Sequence, residues 1–217
     1  VADTLSGDTR IETYDALILS PGVSPVRLPS DDSVPVVALH TVPELDTMLA
    51  TLDATPGTPV VVAGAGFIGL EVAENLVHRG VRVTLVQRSP QVLAPLDPEM
   101  AALLTDRLRD NGVDLRLNTR VDRIEAGEVF LSDGSTHRPA LVVNAIGVRP
   151  NTQVAAAAGL DIGPSGGIAV DAQQRTSDPE LLAVGDAAEQ VDAVDGQATI
   201  VTLAGLARSA GRPVPAG

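Results

Sequence analysis

Residues 60–71 constrain this chain more than any other stretch. Val60-Val61-Val62-Ala63 is an apolar, mostly β-branched run that enters Gly64-Ala65-Gly66-Phe67-Ile68-Gly69 directly, and Leu70-Glu71 continues into a helical pattern. A strand, then G-x-G-x-x-G, then a helix is the fingerprint of a dinucleotide-binding turn. Gly64 permits the tight strand-to-helix turn, Gly66 leaves the backbone bare for a pyrophosphate, and Gly69 lets the helix pack closely on the strand. The phosphates then meet the unpaired N–H groups and the positive dipole end of the helix. An ordinary glycine-rich turn without a ligand is the plainer alternative, and the strand before and helix after weigh against it.

The neighbouring residues complete a βαβ unit. Leu70, Val72, Ala73, Leu76 and Val77 recur at the helical period, Gly80 stands where a C-cap belongs, and 81–86 reads as a second strand. The end of that strand belongs beside the adenosine ribose. NAD-preferring sites place Asp or Glu there; this chain has Gln87 followed by Arg88. Glutamine does not repel a 2′-phosphate and arginine can pair with it bidentately, so NADPH, or dual use, is expected over strict NADH. A solvated surface arginine is the bland alternative.

The chain has 217 residues, enough for one large domain or two small ones, with the apolar content of a globular protein. Its net charge of −13 argues against nucleic acid as a partner. No run is apolar and long enough to span a membrane and no signal peptide is present, so a cytoplasmic setting is expected. There is no cysteine, hence no disulfide and no thiol chemistry in this chain. His40, His78 and His137 lack metal-ligand spacing, and no metal is expected. The start at Val1 reads as the interior of a longer protein.

Along the chain, strands are expected at 16–20, 60–63, 81–86, 113–117, 141–146, 168–171 and 181–184, with helices at 41–52, 70–79 and 98–110. Residues 121–126 and 128–132 read as part of a small antiparallel meander turning at Gly127 and Asp133-Gly134. Alternation of strand and helix implies an α/β fold, a Rossmann-like doubly wound parallel sheet with that meander attached.

Six segments, in order, resemble the flavoprotein pyridine nucleotide–disulfide oxidoreductases, most closely the coenzyme A disulfide reductase and NADH oxidase branch. They are 14–22, 64–71, Leu96-Asp97-Pro98-Glu99-Met100, 145–151, 176–186 and 203–212. The resemblance implies an FAD-binding domain interrupted by an NAD(P)-binding domain. Residues 1–40 and 149–217 would be parts of the former, and 41–148 would be the latter. It also implies that Ser20-Pro21-Gly22 and Gly185-Asp186-Ala187 hold FAD, Asp186 bonding the flavin ribitol, while Gly147 lies on the nicotinamide side. Asp186 as the N-cap of a following helix is the structural alternative.

Phe67 stands where relatives often have a tyrosine that gates the flavin, and Glu71 lies near the nicotinamide in relatives. The alternatives are a phenylalanine packed in the helix start and a glutamate favouring the helix dipole. No catalytic residue is expected within this chain beyond Phe67 and Glu71 as a possible gate, and the chain alone is expected to be inactive in the disulfide reaction, because the required thiolate is missing. The resemblance implies an NAD(P)H- and FAD-dependent enzyme that passes hydride to FAD and on to a disulfide, O2 or peroxide through an N-terminal Cys, acting on a small-molecule substrate as a homodimer. A ferredoxin- or rubredoxin-type reductase and a non-catalytic nucleotide-binding module are the alternatives.

Overall fold

The computed structural model describes residues 2–192 and 196–202, which divide into two compact units, one of 2–24 with the described residues from 149 onward and one of 25–148. The segment 203–212 lies outside the described residues. The chain enters the first unit with strand β1 (Leu17–Leu19), and β2 (Val23–Pro25) marks its first crossing into the second.

The second unit contains β3 (Val36–Val37), α1 (Val42–Ala54), β4 (Val60–Ala63), α2 (Phe67–His78), β5 (Val83–Val86), α3 (Pro98–Asp110) and β6 (Asp114–Arg116). There follow β7 (Val121–Glu125), β8 (Glu128–Leu131), β9 (Thr136–His137) and β10 (Leu141–Asn144). Five parallel strands form one sheet in the order β3-β10-β4-β5-β6. Strands β4, β5 and β10 are buried at every position, as parallel strands covered on both faces must be.

The alternation of side chains along these strands separates two cores. Val60, Val62, Leu85, Leu141 and Val143 pack with Met48 of α1 and with Val72, Ala73 and Leu76 of α2. Val61, Ala63, Val86 and Val142 point the other way and pack with Val121, Ile124, Val129 and Leu131 of the antiparallel β7-β8-β9 meander. The sheet thus has helices on one face and the meander on the other.

Helix α1 begins at Thr41, where the Glu44 carboxylate accepts from the N–H groups of Ala38, His40 and Thr41 at 2.9, 2.9 and 3.0 Å. Burial pulls the Glu44 carboxyl upward, but these N–H donors outweigh it and hold it below its ordinary value.

The chain returns through β11 (Val148–Pro150) to α4 (Gln153–Ala157), β12 (Ile168–Ala169), β13 (Leu181–Ala183), β14 (Ala188–Val191) and β15 (Ala198–Thr199). Strand β1 pairs in parallel with β13, while β12-β14-β15 forms a separate small sheet. Ala155, Leu160, Ile168, Leu181, Ala183, Ala187 and Ala188 make this unit's core. The strand at 188–191 replaces the helix that an N-capping Asp186 would require, so the capping alternative is overturned.

Candidate functional sites at the strand ends

The turn after β4 shows why each of its glycines is glycine. Gly64 adopts φ +100°, and a Cβ there would fall 2.3 Å from the Ala145 carbonyl oxygen. A Cβ on Gly69 would fall 1.8 Å from the Gly64 carbonyl oxygen. Both positions are therefore dictated by packing within the fold. Gly66 is different: a Cβ there would meet nothing within 4 Å. Its bareness serves nothing inside the unit and leaves a backbone cradle open to a ligand. Gly66 is also the N-cap of α2 and has no side chain with which to cap it, so no side chain satisfies the first-turn N–H groups at the cap, and such groups are able to donate to an anion.

The sheet order places further candidates at this edge. Strand β4 lies between β10 and β5, and the crevice beyond the carboxyl ends, where strand order reverses, is where open α/β sheets bind ligands. Gly147 follows β10, and its carbonyl accepts from Val26 N–H at 3.0 Å. Gln87 and Arg88 follow β5. Arg88 is exposed and has no hydrogen bond or ion pair among the described residues. Gln87 is half-buried, and its Oε1 accepts from Ala65 N–H at 2.9 Å. Phe67 and Ile68 open α2 with 70% and 54% of their surface exposed, and Glu71 is exposed one turn later. The exposure of Phe67 weighs against the alternative of a ring packed into the helix start.

The first unit holds a second set of strand ends. Because β1 and β13 pair in parallel, Ser20-Pro21-Gly22 and Gly185-Asp186-Ala187 emerge side by side. Gly185 adopts φ +79°, and a Cβ there would lie 3.5 Å from the Ser20 hydroxyl oxygen. The Asp186 carboxylate is half-buried and has no hydrogen bond or ion pair among the described residues, so its acceptor sites remain available to polyol hydroxyls. The chemistry of this set fits a ribitol or ribose chain.

Sequence reasoning missed Asn151 as a positioning residue. Its Nδ2 donates to the Pro21 carbonyl at 3.0 Å, its N–H donates to the Gly22 carbonyl at 3.0 Å, and its Oδ1 accepts from the Ser24 hydroxyl at 2.8 Å. It fixes the Pro21-Gly22 turn from 130 residues away in sequence. Its signal was its place directly after Arg149-Pro150 in a motif already singled out. Among the described residues, no group of three His, Asp or Glu could hold a metal ion, and no helix is long and apolar enough to cross a membrane.

The fold and the glycine turn define a dinucleotide-binding α/β protein. Residues 1–211 match the family model described as pyridine nucleotide-disulphide oxidoreductase, and the chain belongs to that family. It is 33% identical over 177 residues to the coenzyme A disulfide reductase of Staphylococcus epidermidis, covering 81% of this chain and 40% of that protein. It is 35% identical over 193 residues to an NADH oxidase of Methanocaldococcus jannaschii, covering 86% of this chain and 43% of that one.

Among solved structures, reduced CoADR-RHD of Bacillus anthracis superposes with a TM-score of 0.89 at 37% identity, covering 97% of this chain and 39% of that one. A ferredoxin reductase from Rhodopseudomonas palustris gives 0.84 at 35% identity, covering 95% and 52%. An engineered water-forming NADPH oxidase, derived from the NADH oxidase of Lactobacillus brevis and bound to NADPH, gives 0.87 at 28% identity, covering 97% and 47%. The chain thus spans about two-fifths of the length of the curated relatives it matches, 40% and 43%. Those relatives bear the names of oxidoreductases.

Proposed function

We propose that the unit 25–148 binds NAD(P)H and that the unit formed by 1–24 and the residues from 149 onward contributes to an FAD site, within a whole protein that is an NAD(P)H-dependent flavoprotein oxidoreductase. The observation that carries this reading is Gly66: it is bare in a turn whose other two glycines are fixed by packing. When bound, the nicotinamide and the flavin supply the hydride chemistry. This chain's residues bind and orient them. The α2 N-terminus takes the pyrophosphate, and Gly147, Phe67 and Glu71 border the nicotinamide side. Ser20, Pro21, Gly22, Gly185, Asp186 and Ala187 hold the flavin nucleotide.

NADPH, or dual use, is the favoured donor. Arg88, exposed and without a hydrogen bond or ion pair among the described residues, is able to pair with a 2′-phosphate. The engineered NADPH oxidase replaces an aspartate with alanine and the next two residues with arginine and serine. This chain carries the same kind of triplet, neutral Gln87 followed by Arg88 and Ser89. The final acceptor we propose is a disulfide such as coenzyme A disulfide, or O2 or peroxide. Reduction would go through a cysteine that this sequence does not contain, in a homodimer acting on a small molecule in the cytoplasm.

Titrating NADPH and NADH tests the reading. The Gly66→Val variant is expected to lose at least about tenfold in affinity for both nucleotides with its melting temperature preserved, because the added side chain meets ligand and not protein. Unchanged binding would sink the nucleotide assignment. Arg88→Ala is expected to weaken NADPH by about tenfold and NADH by less than about twofold. Equal losses would remove the 2′-phosphate role.

A further inference from the structure

Gln87 occupies the position at which a dinucleotide site places its ribose ligand, yet its amide is directed elsewhere. Its Oε1 accepts from Ala65 N–H, inside the glycine turn, at 2.9 Å. Its Nε2 donates to the Ser89 hydroxyl. Ser89 Oγ donates to the Gln91 carbonyl at 3.0 Å, and Gln91 Nε2 donates to the Leu96 carbonyl at 2.8 Å. Leu93 N–H returns to the Ala65 carbonyl at 2.8 Å, so both backbone groups of Ala65 are held by the 87–93 segment. The Gln87 backbone is pinned as well, its N–H donating to the Arg116 carbonyl at 2.8 Å and its carbonyl accepting from Thr119 N–H at 2.9 Å. The ladder runs from the glycine turn to the residue before Asp97, the N-cap of α3.

We infer that Gln87 is a positioning residue that acts on the nucleotide through the Ala65 turn, and not a direct ligand of the adenosine ribose. The inference rests on the nucleotide-binding reading above. Gln87 holds the turn at the spacing a pyrophosphate needs, and the same ladder sets the segment that carries Arg88. A clamp of this kind affects every ligand that presents a pyrophosphate, whatever its ribose substituents. A ribose ligand affects only those with the hydroxyl it bonds.

The test uses the whole protein that carries this chain and two probes, NADH and its analogue lacking the adenosine 2′-hydroxyl. Gln87→Met keeps the volume and removes the hydrogen bonds. It is expected to weaken both probes by the same factor, about fivefold, the scale of one or two lost hydrogen bonds. Gln87→Glu keeps an acceptor for Ala65 N–H and is expected to recover most of that loss with both probes. Gln87→Ala replaces the Met variant, with the same expectation, should the latter not give folded protein by circular dichroism. A loss seen with NADH and absent with the 2′-deoxy analogue would make Gln87 a ribose ligand and overturn the inference, as would no loss with either. Unaltered protein that binds neither probe nor NADPH would overturn the nucleotide-binding reading itself, a different result from any of these.

Discussion

The two units use parallel strands in different ways. In residues 25–148, strands β4, β5 and β10 are buried on both faces, between three helices and the antiparallel meander. In the other unit, β1 is also paired in parallel, yet Leu17 and Ile18 are 36% and 62% exposed. Both units put candidate ligand residues at strand carboxyl ends. The first set is over-determined: a Cβ on Gly64 would run into Ala145 and one on Gly69 into Gly64, and Ala65 is tied to Gln87 and Leu93. The second stands on a two-stranded ribbon steadied by Asn151, with the Asp186 carboxylate unpartnered among the described residues. Among the described residues, the difference separates a site fixed by a packed core from one whose residues are joined by a few hydrogen bonds.

The sharpest way to break that contrast is Gly64→Ala. It adds a Cβ against the Ala145 backbone at a left-handed φ and is expected to cost about 3 kcal/mol of stability, read by thermal or urea unfolding. A change below about 1 kcal/mol would show that the core does not dictate the turn. Asp186→Ala comes next. In the whole protein it is expected to lower flavin affinity about tenfold, roughly 1.4 kcal/mol, while the NAD(P)H dissociation constant stays put. Parallel losses of both ligands would mean that the two sets of strand ends do not act separately.

The smallest effect is expected from Glu44→Gln, about 1 kcal/mol at neutral pH. The folded Glu44 carboxyl lies below its ordinary value, so its contribution is present above the unfolded value near ~4.3. It fades as pH falls through the lower folded value. Urea unfolding at neutral pH and near pH 3 should show the gap between the two proteins closing in acid, and a gap that widens would refute the stabilising role of the Glu44 carboxylate.

The parts of this fold that could be read from sequence are those in which local pattern and tertiary demand agree. The Val60–Ala63 strand, the α2 period and the Pro98–Asp110 helix with its Asn111-Gly112 stop follow from composition and spacing. Strands β2, β3 and β14 and the short α4 did not, because two- to five-residue elements carry too few residues to show a period. The Thr41-to-Glu44 spacing spells a capping box, a signal legible in the sequence alone. Within the site, the glycines were legible because steric demand is written in residue type. The Ala65–Gln87 and Pro21–Asn151 bonds span 22 and 130 residues and leave no trace in local spacing.

One bond described above also bears on how the chain comes together. Leu17 and Leu181 are register partners in β1 and β13, with all of residues 25–148 between them. Closing so long a coil would be slow and entropically costly. Val26 donates to Gly147 at 3.0 Å, so the intervening unit, once folded, brings its own two ends together. That unit thereby acts as a spacer of almost no effective length, and the pairing of Leu17 with Leu181 spans far less open chain than their separation in sequence suggests.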